Sequence, residues 1–237
     1  LAMIQTTRLY HLVVIVVLLL PVGSLFARPS GMPDGRASAP DVKTGVEDVT
    51  ARLQAHYDDT EGFRADFTQE VTSATLGQAL NSRGRVFFKK PGRMRWEFEK
   101  PKQTLVCDGS FLWLYQPTEQ QVIKTPFQHA FSSQTPVSFL TGVGRLEEDF
   151  FVIEQGETET VYQLRLTPRN VAEAVGLLDI EVSKQTFDIL QAMITDSLGN
   201  TTRLRFVNIE RGIVMDEALF TFELPQGVDL VEPLSGF

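Results

Sequence analysis

The sequence has 237 residues, of which 43% are hydrophobic and 10% aromatic, so it carries enough apolar material to fold as one globular domain. Its formal net charge of −8 excludes nucleic acid as an expected partner, because phosphate binding requires a basic surface. Cys107 is the single cysteine, which excludes an intrachain disulfide within this sequence, and we expect it to be a small buried apolar residue.

The first residues have the pattern of a targeting segment. Arg8 precedes an apolar run over residues 12–20, which is followed by Pro21 and by residues 23–27, ending in the small residue Ala27 at a plausible cleavage point. This pattern predicts a signal peptide over residues 1–27 and an exported, acidic protein. An uncleaved anchor is the alternative, although the run is shorter than the roughly 20 apolar residues that span a bilayer. Residues 28–43 are rich in Pro, Gly and Ser, which predicts a flexible leader before a single domain over residues 44–237.

An amphipathic helix is predicted at the start of that domain. Thr44 and Glu47 have the spacing of a capping box, and Asp58, Asp59 and Gly62 mark the end of the helix. Between them the apolar residues recur at helical spacing: Val46, Val49, Leu53 and Tyr57. The helix therefore has one apolar face, which we expect to pack against the rest of the domain.

Alternation of apolar and polar residues dominates the chain after residue 62. It is clearest over residues 93–99, where Met94, Trp96 and Phe98 share one face and charged residues occupy the other. Polar residues 75–82 are expected to form a loop, and residues 127–148 one or two short helices joined by loops. A last short strand is predicted at residues 220–222.

Together these elements predict a mainly β protein with helices, of the α+β class. About ten or eleven antiparallel strands form an unclosed, strongly curved β-barrel, with helices against its concave side. The apolar face that points inward has two interpretations, a packed core or an apolar cavity for a ligand, and the strand pattern alone favours the packed core.

No catalytic or metal-binding motif accompanies this fold. His56 and His129 are the histidines after residue 27, and neither has a partner at metal-ligand spacing. We therefore expect no catalytic residue, no metal and no cofactor, and a protein that is not an enzyme.

Six short motifs occur in an order that resembles the periplasmic outer-membrane lipoprotein carrier family, the LolA-like chaperones. They are Phe-x-Ala-Asp-Phe-Thr-Gln (63–69), Gly-x-Val-Phe-Phe-Lys-Lys-Pro-Gly-Arg-Met-Arg-Trp-Glu-Phe-Glu-x-Pro (84–101), Asp-Gly-x-x-Leu-Trp-Leu-Tyr-x-Pro (108–117), Thr-Pro-x-x-Phe-Leu (135–140), Asp-x-x-Gly-Asn (196–200) and Phe-Thr-Phe-x-x-Pro-x-Gly-Val-Asp (220–229). Each motif is short, and their order along the chain makes the set specific.

The resemblance implies a short helical lid over an apolar cavity, and a function as a periplasmic chaperone. Carriage of cargo across an aqueous gap favours a monomer. Its cargo would be acylated lipoproteins, accepted from an inner-membrane ABC-type releasing complex and delivered to an outer-membrane acceptor. The expected cavity lining is Phe67, Met94, Trp96, Phe98, Trp113, Tyr115, Phe139 and Leu140.

The resemblance also assigns a role in lid movement and transfer to Lys90. The family commonly has Arg at this position, and Lys keeps the charge without the planar fork of donors.

Two alternatives to a lipoprotein carrier remain open at this stage. One is a periplasmic glycolipid- or lipid-binding module, or a membrane-associated enzyme, on a similar half-barrel. The other is a purely structural β-domain with a filled interior.

Overall fold

The computed structural model describes residues 45–127, 145–169 and 176–232. Its first element is helix α1 (Gly45–Asp59), which confirms the predicted helix over its described length, since Thr44 lies outside those ranges. Val49, Leu53 and Tyr57 are buried because their four-residue spacing places them on one side of the helix. No helix of the described residues is both long and apolar enough to cross a membrane.

Twelve strands form one sheet in the described part of the chain. They are β1 (Gly62–Thr72), β2 (Ala79–Lys89), β3 (Arg93–Phe98), β4 (Gln103–Asp108), β5 (Phe111–Gln116), β6 (Gln121–Pro126), β7 (Phe150–Glu157), β8 (Val161–Pro168), β9 (Leu177–Ser183), β10 (Ile189–Thr195), β11 (Thr201–Arg211) and β12 (Asp229–Val231). A single-turn helix α2 (Leu146–Asp149) precedes β7, and two 3-10 turns occupy Pro117–Glu119 and Glu217–Phe220.

The order of the strands leaves the sheet open. Neighbours follow the sequence β12-β6-β5-β4-β3-β2-β1-β11-β10-β9-β8-β7, so β12 and β7 are its two edges. All pairs are antiparallel apart from β12, which adds to β6 in parallel. The prediction of an unclosed antiparallel sheet is confirmed, with one strand more than expected.

Contacts of α1 show that this open sheet is strongly curved. Lys90, directly after β2, donates to the carbonyl oxygen of Asp58. One turn earlier in the helix, Gln54 accepts from the backbone N–H of Leu146, shortly before β7. β2 and β7 are six positions apart in the sheet order, so a flat sheet would hold them about 29 Å apart, at roughly 4.8 Å per strand. The sheet therefore curls around its inner face, where Leu53 of α1 packs into one apolar cluster with residues of both β5 and β8.

The structure corrects two of the predicted elements. Residues 79–82 were expected to be part of a loop but belong to β2, which begins at Ala79. Two inward-facing residues here are polar, because Ser82 of β2 donates a buried hydrogen bond to Gln69 of β1, 3.0 Å. The pattern at Phe220 and Phe222 is not a strand. Phe220 ends a 3-10 turn that is capped by Asp216, and Phe222 follows it without regular structure.

Candidate functional site

Four of the residues expected to line a cavity lie together on the concave face. The ring centroid of Phe67 is 4.8 Å from that of Trp96 and 5.0 Å from that of Phe98, both in edge-to-face geometry. Met94 is on the same strand and face as Trp96. All four side chains are at most 6% exposed and belong to the apolar cluster into which the buried side of α1 also packs.

Gly84 explains how these rings come so close. It pairs with Phe67 on one side and with Phe98 on the other. A Cβ atom at Gly84 would lie 1.8 Å from the carbonyl oxygen of Glu97, so only glycine allows the neighbouring strand to approach. The glycine that opens the second motif is therefore required by packing.

Trp113 and Tyr115 lie on the opposite face of the sheet, which corrects their expected grouping with the other four. In the β4–β5 register Val106 pairs with Trp113, whereas Leu105 pairs with Leu114. Leu105 also pairs with Trp96, so Leu114 faces inward with Trp96, and Trp113 faces outward. The prediction failed because β5 is apolar on both faces, and composition alone does not show which face is inside.

The chain after β11 covers the outward face of β5. The ring of Trp113 stacks on Phe222 with centroids 5.4 Å apart, and Tyr115 contacts the same ring at 6.2 Å. The indole N–H of Trp113 donates to Asp108 Oδ2, 2.9 Å. Burial acts to raise the pKa of Asp108, but this bond and backbone N–H donors lower it overall. The two aromatic residues therefore belong to a second, outer cluster.

The remaining two predicted lining residues, Phe139 and Leu140, lie outside the described residues. Most of the range 127–148, where short helices were predicted, also lies outside the described residues. Within that range the structure describes α2, where the backbone N–H of Leu146 donates to Gln54 Oε1 of α1, 2.9 Å.

Lys90 holds the C-terminal end of α1. Its ammonium group donates to the carbonyl oxygen of Asp58, 3.0 Å, and to that of Tyr57. Both carbonyls belong to the last turn of the helix, where that of Tyr57 also accepts from the backbone N–H of Thr60, 3.3 Å, and a cation at a helix C-terminus is stabilised by the helix dipole. The turn between β2 and β3, which leads into the strand that carries Trp96, thus also anchors the helix.

A buried carboxylate fastens α1 to the sheet at a second point. Asp188, at the start of β10, contacts His56 Nε2 at 3.2 Å and accepts a hydrogen bond from Arg211 Nη1, 2.6 Å. Thr186 donates to its other oxygen, 2.7 Å. Burial acts to raise the pKa of Asp188, but the hydrogen bonds from His56 and Thr186 and the charge of Arg211 lower it overall.

Tyr57, which follows His56 on α1, makes a further contact with the sheet at this point. The hydroxyl oxygen of Tyr57 accepts a hydrogen bond from the backbone N–H of Ile189, 3.1 Å. Burial raises the pKa of Tyr57, so the hydroxyl stays protonated at physiological pH. We call Lys90, His56, Tyr57, Asp188 and Arg211 the helix latch.

The described residues hold no group of three His, Cys, Asp or Glu side chains that could bind a metal ion. Burial raises the pKa of the Cys107 thiol to about 12, and its sulfur lies 3.2 Å from the carbonyl oxygen of Gly92. A thiol with so high a pKa is a poor nucleophile. The site is therefore an apolar concave face with a polar latch.

Comparison with known proteins places this geometry in a family. The family model described as "Outer membrane lipoprotein carrier protein LolA" matches residues 58–223, which span β1 to the outer cluster. The chain belongs to the LolA family.

Relatives along most of the chain agree with this assignment. The chain is 31% identical over 183 residues to an outer-membrane lipoprotein carrier protein of Methylococcus capsulatus, covering 77% of this chain and 86% of the relative. It is 33% identical over 173 residues to the protein of that name from Dechloromonas aromatica, covering 73% and 82%. An uncharacterized conserved protein from Thermus thermophilus has a similar fold, with a TM-score of 0.52, 14% identity, and coverage of 80% of this chain and 100% of that one.

The helix latch includes residues that the motifs of the LolA family did not indicate. Lys90 was singled out from the second motif, but its partners on α1 are 32 and 33 residues away in the sequence. Asp188 and Arg211 were not identified from the sequence, because neither lies in a recognisable motif. The polar residue Asp188, directly before an apolar strand, was the one signal that could have drawn attention to it.

Proposed function

We propose that this protein is a periplasmic chaperone that binds the acyl chains of lipoproteins against the concave face of its sheet. It accepts them after release by an ABC-type complex of the inner membrane and delivers them, as a monomer, to an acceptor at the outer membrane. Membership of the LolA family and the aromatic concave face under a separately latched helix support this proposal.

The closed arrangement sets a condition on how cargo enters. Phe67, Met94, Trp96 and Phe98 are buried in the same apolar cluster as the inner side of α1, so displacement of α1 is the step that opens this cluster to an acyl chain. The latch holds α1 through a few polar contacts, which water can replace once the helix lifts. The strands beneath have continuous backbone pairing and keep the shape of the concave face.

The free energy of burying acyl chains is large, which favours a carrier in which displacing α1 is itself unfavourable. Each buried CH₂ contributes roughly 0.8 kcal/mol, so a chain of about 16 carbons represents on the order of 12 kcal/mol before costs. Three fully buried chains would exceed the practical limit of non-covalent affinity, about 18–21 kcal/mol. Partial burial and the cost of displacing α1 reduce the net affinity, so cargo can pass to a more favourable acceptor without any bond being broken.

The proposal is tested by recovering the protein from the periplasm and measuring the acylated lipoprotein that accompanies it. Trp96→Glu places a charge in the centre of the concave face and is expected to abolish the associated cargo. Trp113→Glu is the matched control, because it makes the same change on the opposite face and is expected to retain cargo.

Thermal unfolding and circular dichroism establish that each variant is folded. If Trp96→Glu misfolds, the milder Trp96→Ala takes its place and is expected to reduce the bound cargo. Full cargo in a folded Trp96 variant, or equal loss in both the Trp96 and Trp113 variants, would refute binding at the concave face.

A further inference from the structure

Two neighbouring turns at one end of the sheet expose leucine side chains. Leu198, in the turn between β10 and β11, is 76% exposed, and Leu76, in the turn between β1 and β2, is 48% exposed. The turns lie side by side because β1 pairs with β11 up to the pair Thr72 and Thr201. We call Leu76 and Leu198 the leucine tips.

Hydrogen bonds join the two turns and fix each of them locally. The backbone N–H of Ala74 donates to Asn200 Oδ1 of the other turn, 3.0 Å. Asp196 accepts from the backbone N–H of Leu198, 2.9 Å, and Ser73 Oγ accepts from that of Leu76, 3.3 Å. The leucine tips are thus held outward in one small projection rather than folded back onto the sheet.

A basic groove lies on the strands directly beside the leucine tips. Its lining includes four cations, Arg83, Lys100, Arg203 and Arg205, and one carboxylate, Glu70. Its remaining lining residues are uncharged: Thr68, Gln69, Asn81 and Ser82.

Some of these charges are neutralised within the protein. Glu70 pairs with Arg203 at 3.2 Å and the nearby Glu99 pairs with Arg83 at 2.7 Å, while Lys100 and Arg205 have no carboxylate partner among the described residues. The groove keeps a local positive charge although the sequence has a net charge of −8.

The groove begins close to the turns that carry the leucine tips. Arg203 lies two residues from the start of β11, which is roughly 7 Å along the strand from the end of the turn. The polar headgroup region on each side of a bilayer is about 5–8 Å thick. A protein whose leucine tips enter the interface therefore brings the near end of the groove to the depth of the headgroups.

From this arrangement we propose that the leucine tips and the basic groove dock the protein onto the surface of an anionic phospholipid bilayer. The leucines enter the interface and the cations contact lipid phosphates. Acidic groups elsewhere on the protein oppose this docking weakly, because charges farther away than about 10 Å are screened at 0.1 M salt. The inference does not rest on the proposed cargo site, since the concave face takes no part in it.

Vesicle sedimentation tests the docking, with protein purified from the periplasm. The vesicles contain either equal parts of phosphatidylglycerol and phosphatidylethanolamine or phosphatidylcholine alone. We expect binding to the anionic vesicles, at least tenfold weaker binding to the neutral ones, and weaker binding as salt is raised.

Variants divide the contributions of the two features. Leu76→Glu/Leu198→Glu is expected to weaken binding to anionic vesicles at least tenfold, because it removes two apolar contacts and adds two negative charges. Lys100→Gln/Arg205→Gln is expected to weaken it about 25-fold, at about fivefold for each cation. Val214→Glu/Leu224→Glu is the matched control, because it makes the same charge change at exposed apolar residues outside the tips and is expected to bind nearly as wild type does.

The outcomes separate this inference from the proposed function. Tip variants are expected to keep their cargo, and Trp96→Glu is expected to keep its affinity for vesicles. The docking proposal is overturned if wild-type protein does not bind the anionic vesicles, or if the control pair weakens binding as much as the tip pair. Binding of a protein partner at the tips without vesicle binding would overturn it as well.

Discussion

Lys90→Met is the most direct test of the helix latch. The substitution keeps a side chain of similar length and removes the ammonium group that donates to the carbonyl oxygens of Tyr57 and Asp58. Nothing on the concave face is changed. Its effect should therefore be confined to the equilibrium between the latched and the lifted positions of α1.

The size of the effect follows from the contacts that are lost. A hydrogen bond from a charged donor contributes about 1.5–3 kcal/mol, and a cation at a helix C-terminus about 0.3–1 kcal/mol. The low ends of these ranges give about 1.8 kcal/mol, and solvent screening of the exposed contact with Asp58 reduces the total to about 1.4 kcal/mol. That amount raises the population of the lifted helix about tenfold.

Hydrogen exchange measures this population directly. In Lys90→Met, buried amides of α1 around Leu53 are expected to exchange about tenfold faster, while amides of β3 keep their rates. If cargo binds the lifted state, its apparent affinity rises by up to the same factor, and handover to an acceptor slows. Lys90→Arg is expected to retain slow exchange, because the guanidinium has enough donors for both carbonyls.

The control is Lys102→Met, which removes an exposed cation that forms no hydrogen bond or ion pair with residues 45–59 of α1 as the structure describes them. Equal exchange from α1 in wild type and Lys90→Met would refute the assignment of Lys90 as part of the latch. Faster exchange throughout the sheet would refute it differently, by showing that Lys90 stabilises the whole domain rather than the position of the helix.

Two further predictions concern buried ionisable groups. Because the pKa of Asp188 lies below its usual value near 3.9, its ionised form stabilises the fold above that pH and the stabilisation is lost as pH falls through the lowered pKa. Asp188→Asn is expected to lower the free energy of unfolding by about 3 kcal/mol at neutral pH and by less at about pH 3, because protonation of Asp188 in the unfolded state begins near pH 3.9, as measured by urea unfolding. Equal losses at both pH values would contradict the role of the charge. For Cys107, whose pKa is raised to about 12, alkylation at about pH 8 is expected to be at least a thousandfold slower in the folded protein than in concentrated urea, followed by mass spectrometry. Rapid labelling of the folded protein would contradict its burial.

Periodicity along the chain was sufficient to predict most of the secondary structure. The stripe through Val49, Leu53 and Tyr57 defined α1, and the alternation at Met94, Trp96 and Phe98 defined both β3 and its inward face. These predictions succeeded because each depends on contacts within one element, whose geometry repeats at a known period. The ordered motifs likewise indicated the family, since they are a property of the sequence.

Periodicity failed where both faces of a segment are apolar or both are polar. Trp113 lies on a strand with an apolar residue on each face, and Ser82 lies where even the inward-facing residue is polar. In such segments the side that faces inward depends on the register with neighbouring strands and on what covers each face. The segment containing Phe222 covers the outer face of β5, and that contact joins residues more than a hundred positions apart.

The tertiary structure also decided which polar residues act together. Residues of α1, β2, β10 and β11 and of the short connections beside them meet at the helix latch only because the sheet curls back beneath α1. The leucine tips and the basic groove become neighbours because β1 pairs with β11, although the paired residues are more than a hundred positions apart in the sequence. Local sequence determines which elements form, whereas curvature and strand order determine which of their side chains meet, because burial rewards contacts irrespective of separation along the chain.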